Sequence, residues 1–122
     1  MKNIQLKSKD ISIYPEIEYK KFSLTFEPNF NCSMCKCFQY GDMAYIIADI
    51  NSSGIALHSW TNICKIPNEI YSNKDIYLMV SPKNLYERCS VKVTNSGYIS
   101  IIVHNYSSAS IETRIAGFWK IG

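Results

Sequence analysis

The chain has no run of about eighteen apolar residues, so no membrane-spanning helix is expected. Its opening residues, Met1-Lys2-Asn3-Ile4-Gln5-Leu6-Lys7, carry charge but no apolar core of a leader, so no secretory signal is expected. The five glycines are scattered and form neither a dinucleotide-binding nor a phosphate-cradling pattern. A nucleophile elbow of the G-x-S-x-G type is missing as well. Leucine and alanine, both strong helix formers, number only five each. One-sided charge is also lacking: 13 Lys+Arg against 10 Asp+Glu leave +3. A nucleic-acid surface usually shows a dense basic stripe, and none is present. There is no internal repeat, no low-complexity tract and no linker, so 122 residues read as one domain.

What the chain does have is isoleucine and aromatics. Isoleucine occurs 18 times, tyrosine nine times and phenylalanine five times. At 13% aromatic and 19% charged, the chain is too apolar to stay disordered. β-branched and aromatic side chains suit a pleated, half-buried surface. Alternation predicts strands over residues 10–14, 21–27, 55–60, 62–66, 75–81, 90–94, 98–104 and 111–121. The apolar run 43–50, bounded by Gly41 and Gly54, predicts a buried strand. Phe22, Leu24 and Phe26 share one face of the 21–27 segment, with Ser23 and Thr25 on the other. Asn95-Ser96-Gly97 predicts a hairpin, because asparagine and glycine tolerate positive φ. Its arms place Val91, Val93, Ile99 and Ile101 to share a buried face. Short strands about ten residues apart suggest a sandwich or barrel.

The cysteines are odd in number: Cys32, Cys35, Cys37, Cys64 and Cys89. Five without a leader do not read as a disulfide framework. Cys32-Ser-Met-Cys35-Lys-Cys37 has C-x-x-C spacing, which can grip one face of a zinc ion. A four-ligand site would then need Cys64 with Cys89, or a histidine, and neither gives a matching short-range pair. A redox C-x-x-C opens a helix beside a βαβ unit, whereas Phe30, Phe38 and Tyr40 surround this one with strand and loop character. The cysteines are therefore read as reduced, small apolar residues, with no metal and no cofactor assigned.

The second half of the chain carries a resemblance. Ile63-Cys-Lys-Ile66-Pro67 leads to Ile76-Tyr-Leu-Met-Val80, then to Val91-Lys-Val-Thr-Asn-Ser-Gly97-Tyr-Ile99-Ser-Ile101. A Ser/Asn-rich loop gives way to Ile115-Ala-Gly-Phe-Trp119-Lys-Ile121. This order resembles the C-terminal head domains of bacteriophage and prophage tail fibres and baseplate receptor-binding proteins. Lys20-Lys21-Phe22-Ser23-Leu24-Thr25 looks like the first strand of such a head, with Ser23 where glycine is common. The resemblance spans residues 20–122 and leaves residues 1–19 as an N-terminal arm or edge strand. It implies an all-β antiparallel sandwich, jelly-roll-like, assembling as a homotrimer. It implies a non-catalytic adhesion module in the virion tail, made in the bacterial cytoplasm, that recognises cell-surface saccharide. The alternative is a structural tail or baseplate component that contacts other proteins. Neither nucleic acid nor membrane insertion is expected of either. No collagen-like stalk or heptad repeat precedes the head.

The candidate site residues follow from the chemistry of sugars. A sugar ring has an apolar C–H face and a hydroxyl edge, so a site pairs an aromatic plate with fixed polar groups. Three local sets meet this need: His58-Ser59-Trp60, Tyr86-Glu87-Arg88 and Asn105-Tyr106. Tyr86, Glu87 and Arg88 are expected to be exposed, and Trp119, on the closing strand, to be core. Both histidines, His58 and His104, are expected at strands or strand ends with a satisfied hydrogen bond. Glycan hydrolysis would need two carboxylates across a cleft, and no pair of the ten acids stands out by spacing. No catalytic residue is assigned.

Overall fold

In a computed structural model, which describes residues 19–84, 87–105 and 110–122, the chain is all-β. Eight strands follow in chain order: β1 (Tyr19–Phe22), β2 (Phe30–Tyr40), β3 (Met43–Ser53), β4 (Thr61–Lys65), β5 (Ile76–Pro82), β6 (Arg88–Val93), β7 (Tyr98–Asn105) and β8 (Ser110–Lys120). A 3-10 turn at Asn68–Ile70 is the sole helical element among the described residues. The strands form one antiparallel sheet, in the order β1-β2-β3-β8-β5-β6-β7-β4, curled into a half-barrel. β5 makes the corner. Its residues 76–78 pair with β6, and residues 79–82 pair with β8. After β1 the chain comes round to the opposite edge, where Phe26 bridges Cys64 and the Glu27 N–H donates to the Ile63 carbonyl at 2.8 Å. That contact partly covers the backbone groups that an edge strand leaves open.

Period-two patterning explains the core. β3 pairs residue by residue with β8 and, but for one bulge, with β2. Its run was expected to be buried, yet it is buried on one face only. Ala44, Ile46, Ala48 and Ile50 point inward, while Met43, Tyr45, Ile47 and Asp49 are half-exposed. The hairpin forms as expected, and Val91, Val93, Ile99 and Ile101 are all buried. Burying each such side chain stabilises the fold by about 1.5–3 kcal/mol. Gly97 turns the hairpin at φ 89°, and a Cβ there would lie 2.2 Å from the Tyr71 ring. Turn chemistry and close packing thus demand the same residue. Trp119 is core, at 2% exposure, and its indole N–H donates to the Ile70 carbonyl at 2.7 Å.

Two expected strands differ. Residues 55–60 form a loop, with Leu57 making a lone bridge to Val103 and His58 in the left-handed region at φ 64°. Gly54, at φ 79°, turns the chain off β3 before the segment can pair. In the 21–27 segment the strand ends at Phe22, but Phe22, Leu24 and Phe26 still pack on the core while Ser23 and Thr25 face water. The strand expected at 10–14 lies outside the described residues.

Candidate functional site: two aromatic regions on the outer sheet face

The outer face of the sheet carries two aromatic regions. The first is built across β5, β6, β7 and β4. Strand register sets Tyr77 beside Lys92, Lys92 beside Ser100, and Ser100 beside Asn62. Trp60, the last residue of the loop before β4, lies over this row. Its ring centroid is 4.2 Å from the Lys92 Nζ and 6.2 Å from that of Tyr77. A cation against an indole face is attracted by the ring quadrupole. Lys92 also pairs with Asp75 at 3.2 Å. Asp75 in turn accepts the Asn95 N–H at 2.9 Å, which together with Lys92 holds its carboxyl below the usual carboxylate range. The buried Ser100 hydroxyl donates to the Asn62 Oδ1 at 2.6 Å. Trp60 remains 39% exposed. An ammonium and an amide therefore stand on one row of strands, with an indole plate and a carboxylate from the loops just before β4 and β5.

The second region lies across β1, β2, β3 and β8. Phe38, Tyr45 and Phe118 are register partners, and Tyr19 pairs with Tyr40. Phe38 and Tyr45 stack at 5.3 Å and 13°, while Tyr40 meets both edge-on. Tyr19 closes one end against Phe38 and Tyr40, and Phe118 leans on Tyr45 at 5.8 Å. These rings satisfy one another's quadrupoles and leave an apolar ridge. Phe118 is 60% exposed, and Met79, on the neighbouring strand, is 72% exposed.

The candidate residues read from the sequence are scattered. Trp60 sits in the first region. His58 turns elsewhere, and its ring lies 6.0 Å from that of His104. Glu87, expected to be exposed, is buried at 5% exposure, and its carboxylate accepts the Glu112 N–H at 3.2 Å. That bond anchors the start of β8 and explains why an acid is tolerated inside. Arg88 is exposed. Tyr86 and Tyr106 lie outside the described residues. Sequence reasoning missed Tyr77, Lys92, Asp75 and Asn62. Alternation does place Lys92 outward between Val91 and Val93, but nothing in one sequence says that Trp60 lies above it.

A third feature is a polar groove of about 220 Å³ lined by Ser33, Asn51 and Ser81 and by two ion pairs. Arg114 makes a bidentate pair with Asp49, at 2.6 and 2.9 Å, and Lys83 pairs with Glu112 at 3.2 Å. Arg114 holds the Asp49 carboxyl below its usual range, which suits it poorly to donate a proton.

The cysteines gather more closely than their spacing implied. A bulge between Cys32 and Met34 shifts the register of β2, so Cys32, Cys35 and Cys37 all pack toward the core. Cys64 lies near them from β4, whereas Cys89 stands apart on β6. Burial pushes the Cys35 thiol up to about 12 and that of Cys37 to about 11, and Cys64 is raised further. Such thiols are poor nucleophiles at neutral pH. Among the described residues no group of three or more His, Cys, Asp or Glu side chains is arranged to hold a metal ion. Nor is any described helix long and apolar enough to cross a membrane. No protein-family model matches the chain, and a comparison with curated proteins returns no relative.

Proposed function

We propose that the chain is a non-catalytic binding module that takes saccharide at the Trp60 corner. The observation that carries this reading is the half-exposed indole above a row of fixed polar groups. A sugar would lay its C–H face on the exposed part of Trp60. Its hydroxyls would meet the Asp75 carboxylate, the Lys92 ammonium and the Asn62 amide, the last two set by strand register and Asp75 held by Lys92 and the Asn95 N–H. Little ordering is then left to do on binding, which favours affinity.

The resemblance to phage receptor-binding heads supplies the biological setting: a tail-borne adhesion module for bacterial surface saccharide, located in the virion. The curled sheet supports a sandwich-like head, because β5 hands the chain from one set of strands to the other around one core. Homotrimer formation fits the ridge, since a second copy would cover apolar area that a monomer leaves wet. The same ridge favours a second reading, a tail or baseplate component whose main task is protein contact. The test is titration with bacterial surface polysaccharide, read by tryptophan fluorescence. Trp119 is buried and Trp60 is not, so a change at the emission of the exposed indole reports the corner. Calorimetry reads the same titration of Trp60→Ala, which lacks the reporting indole, and polysaccharide binding that survives there would remove the corner from the site.

A further inference from the structure

The chain contains two histidines, 46 positions apart in sequence, and the fold brings them together. His58 lies in the loop before β4, and His104 lies near the end of β7. The backbone ties the two segments: the His58 N–H donates to the Val103 carbonyl at 2.8 Å, and Leu57 bridges Val103. The rings stand 6.0 Å apart, centroid to centroid, with 41° between their planes. Both residues are exposed. Each was expected to hold a satisfied hydrogen bond, yet neither imidazole hydrogen-bonds to a protein group among the described residues. His58 also keeps the left-handed backbone, at φ 64°, which a residue with a Cβ seldom adopts. An outlier of this kind is a reason to look for function nearby.

We infer that His58 and His104 form a two-imidazole clip for a divalent transition-metal ion of the Zn²⁺ or Ni²⁺ class. Neutral imidazole is a good donor for these ions, at about 2.0–2.1 Å from nitrogen to metal. Two imidazoles on one tetrahedral ion place their centroids about 5 Å apart by that bond length. The observed 6.0 Å therefore closes with a shift of about 1 Å, within reach of exposed side chains turning about their own bonds. The remaining positions of the ion go to water. Bound metal pins the loop carrying Leu57 and His58 onto β7. This inference does not depend on the saccharide reading.

Calorimetric titration of the full chain with Zn²⁺ tests it, beside the variants His58→Asn and His104→Asn. Asparagine accepts the left-handed backbone better than other side chains with a Cβ, so His58→Asn keeps the loop geometry. A melt of each variant with chelator present checks that it folds as the parent does. The expected result is one Zn²⁺ per chain, bound at least about tenfold more weakly by either variant, with a metal-dependent rise in melting temperature that both variants lose. Trp60→Ala is expected to leave the isotherm unchanged. No Zn²⁺ binding by the parent, or Zn²⁺ binding by both variants as strong as the parent's, overturns the clip.

Discussion

The two aromatic regions use similar side chains for opposite ends. In the ridge, Phe38, Tyr40 and Tyr45 spend their faces and edges on one another. At the Trp60 corner the indole lies against the Lys92 ammonium, which is itself paired with Asp75, and only Tyr77 of the described rings stands near it. A surface of mutually satisfied rings repels water without offering directed hydrogen bonds, which suits another protein face. An indole with a fixed carboxylate and amide nearby offers both the apolar plate and the directed bonds that a polyol needs. The difference teaches that aromatic count alone does not identify a saccharide site.

The largest effect is expected from a charge placed in the ridge. Phe118→Asp should convert the proposed homotrimer into single chains, a threefold fall in mass by light scattering, while polysaccharide binding at the corner persists. A parent chain that is itself monomeric would break this half of the comparison. Next come the two tryptophans. Trp119→Ala should cost about 3–5 kcal/mol of stability in denaturant melts, since it empties the core. Trp60→Ala should cost under about 1 kcal/mol, the range for an exposed site, yet weaken polysaccharide binding about tenfold or more. Equal stability losses would show that Trp60 is structural.

Acid separates the regions more gently. Asp49 and Asp75 have folded pKa values depressed below the ordinary 3.8. They therefore stabilise the fold fully above that value and lose this contribution as pH falls through their lower folded values. The corner contains Asp75, and the ridge rings carry no carboxylate. Polysaccharide binding should thus weaken over this acid range before the mass changes, and Asp75→Asn should flatten the binding profile. The smallest effect concerns the thiols. Cys35, Cys37 and Cys64 should react slowly with a disulfide reagent in the native state, and all five cysteines should react quickly in denaturant. Fast native labelling of Cys64 would contradict its burial.

The sequence carried much of the fold and little of the site. Alternation named the strands around Val91 and Ile99 because one face of a sheet must be apolar, and the Asn95-Ser96-Gly97 turn fixed their pairing. Residues 55–60 read as strand because Ile55 and Leu57 alternate with small and polar residues, but a lone bridge to Val103 is all the pairing they find. Burial of Glu87 was illegible, since the Glu112 N–H that holds it lies 25 positions away. Trp60 could be named from composition, whereas Lys92 and Asp75 reach it only through the order of β4, β7, β6 and β5. Cross-strand neighbours of this kind carry no local signal. Cys64 meeting the 32–37 cysteines has the same cause.

The most direct test is one titration run on three proteins: the parent, Trp60→Ala and Phe118→Asp, each with bacterial surface polysaccharide. The expected result is binding by the parent and by Phe118→Asp, with at least about a tenfold loss in Trp60→Ala. Binding that survives Trp60→Ala and disappears in Phe118→Asp would contradict the account and place the saccharide on the ridge.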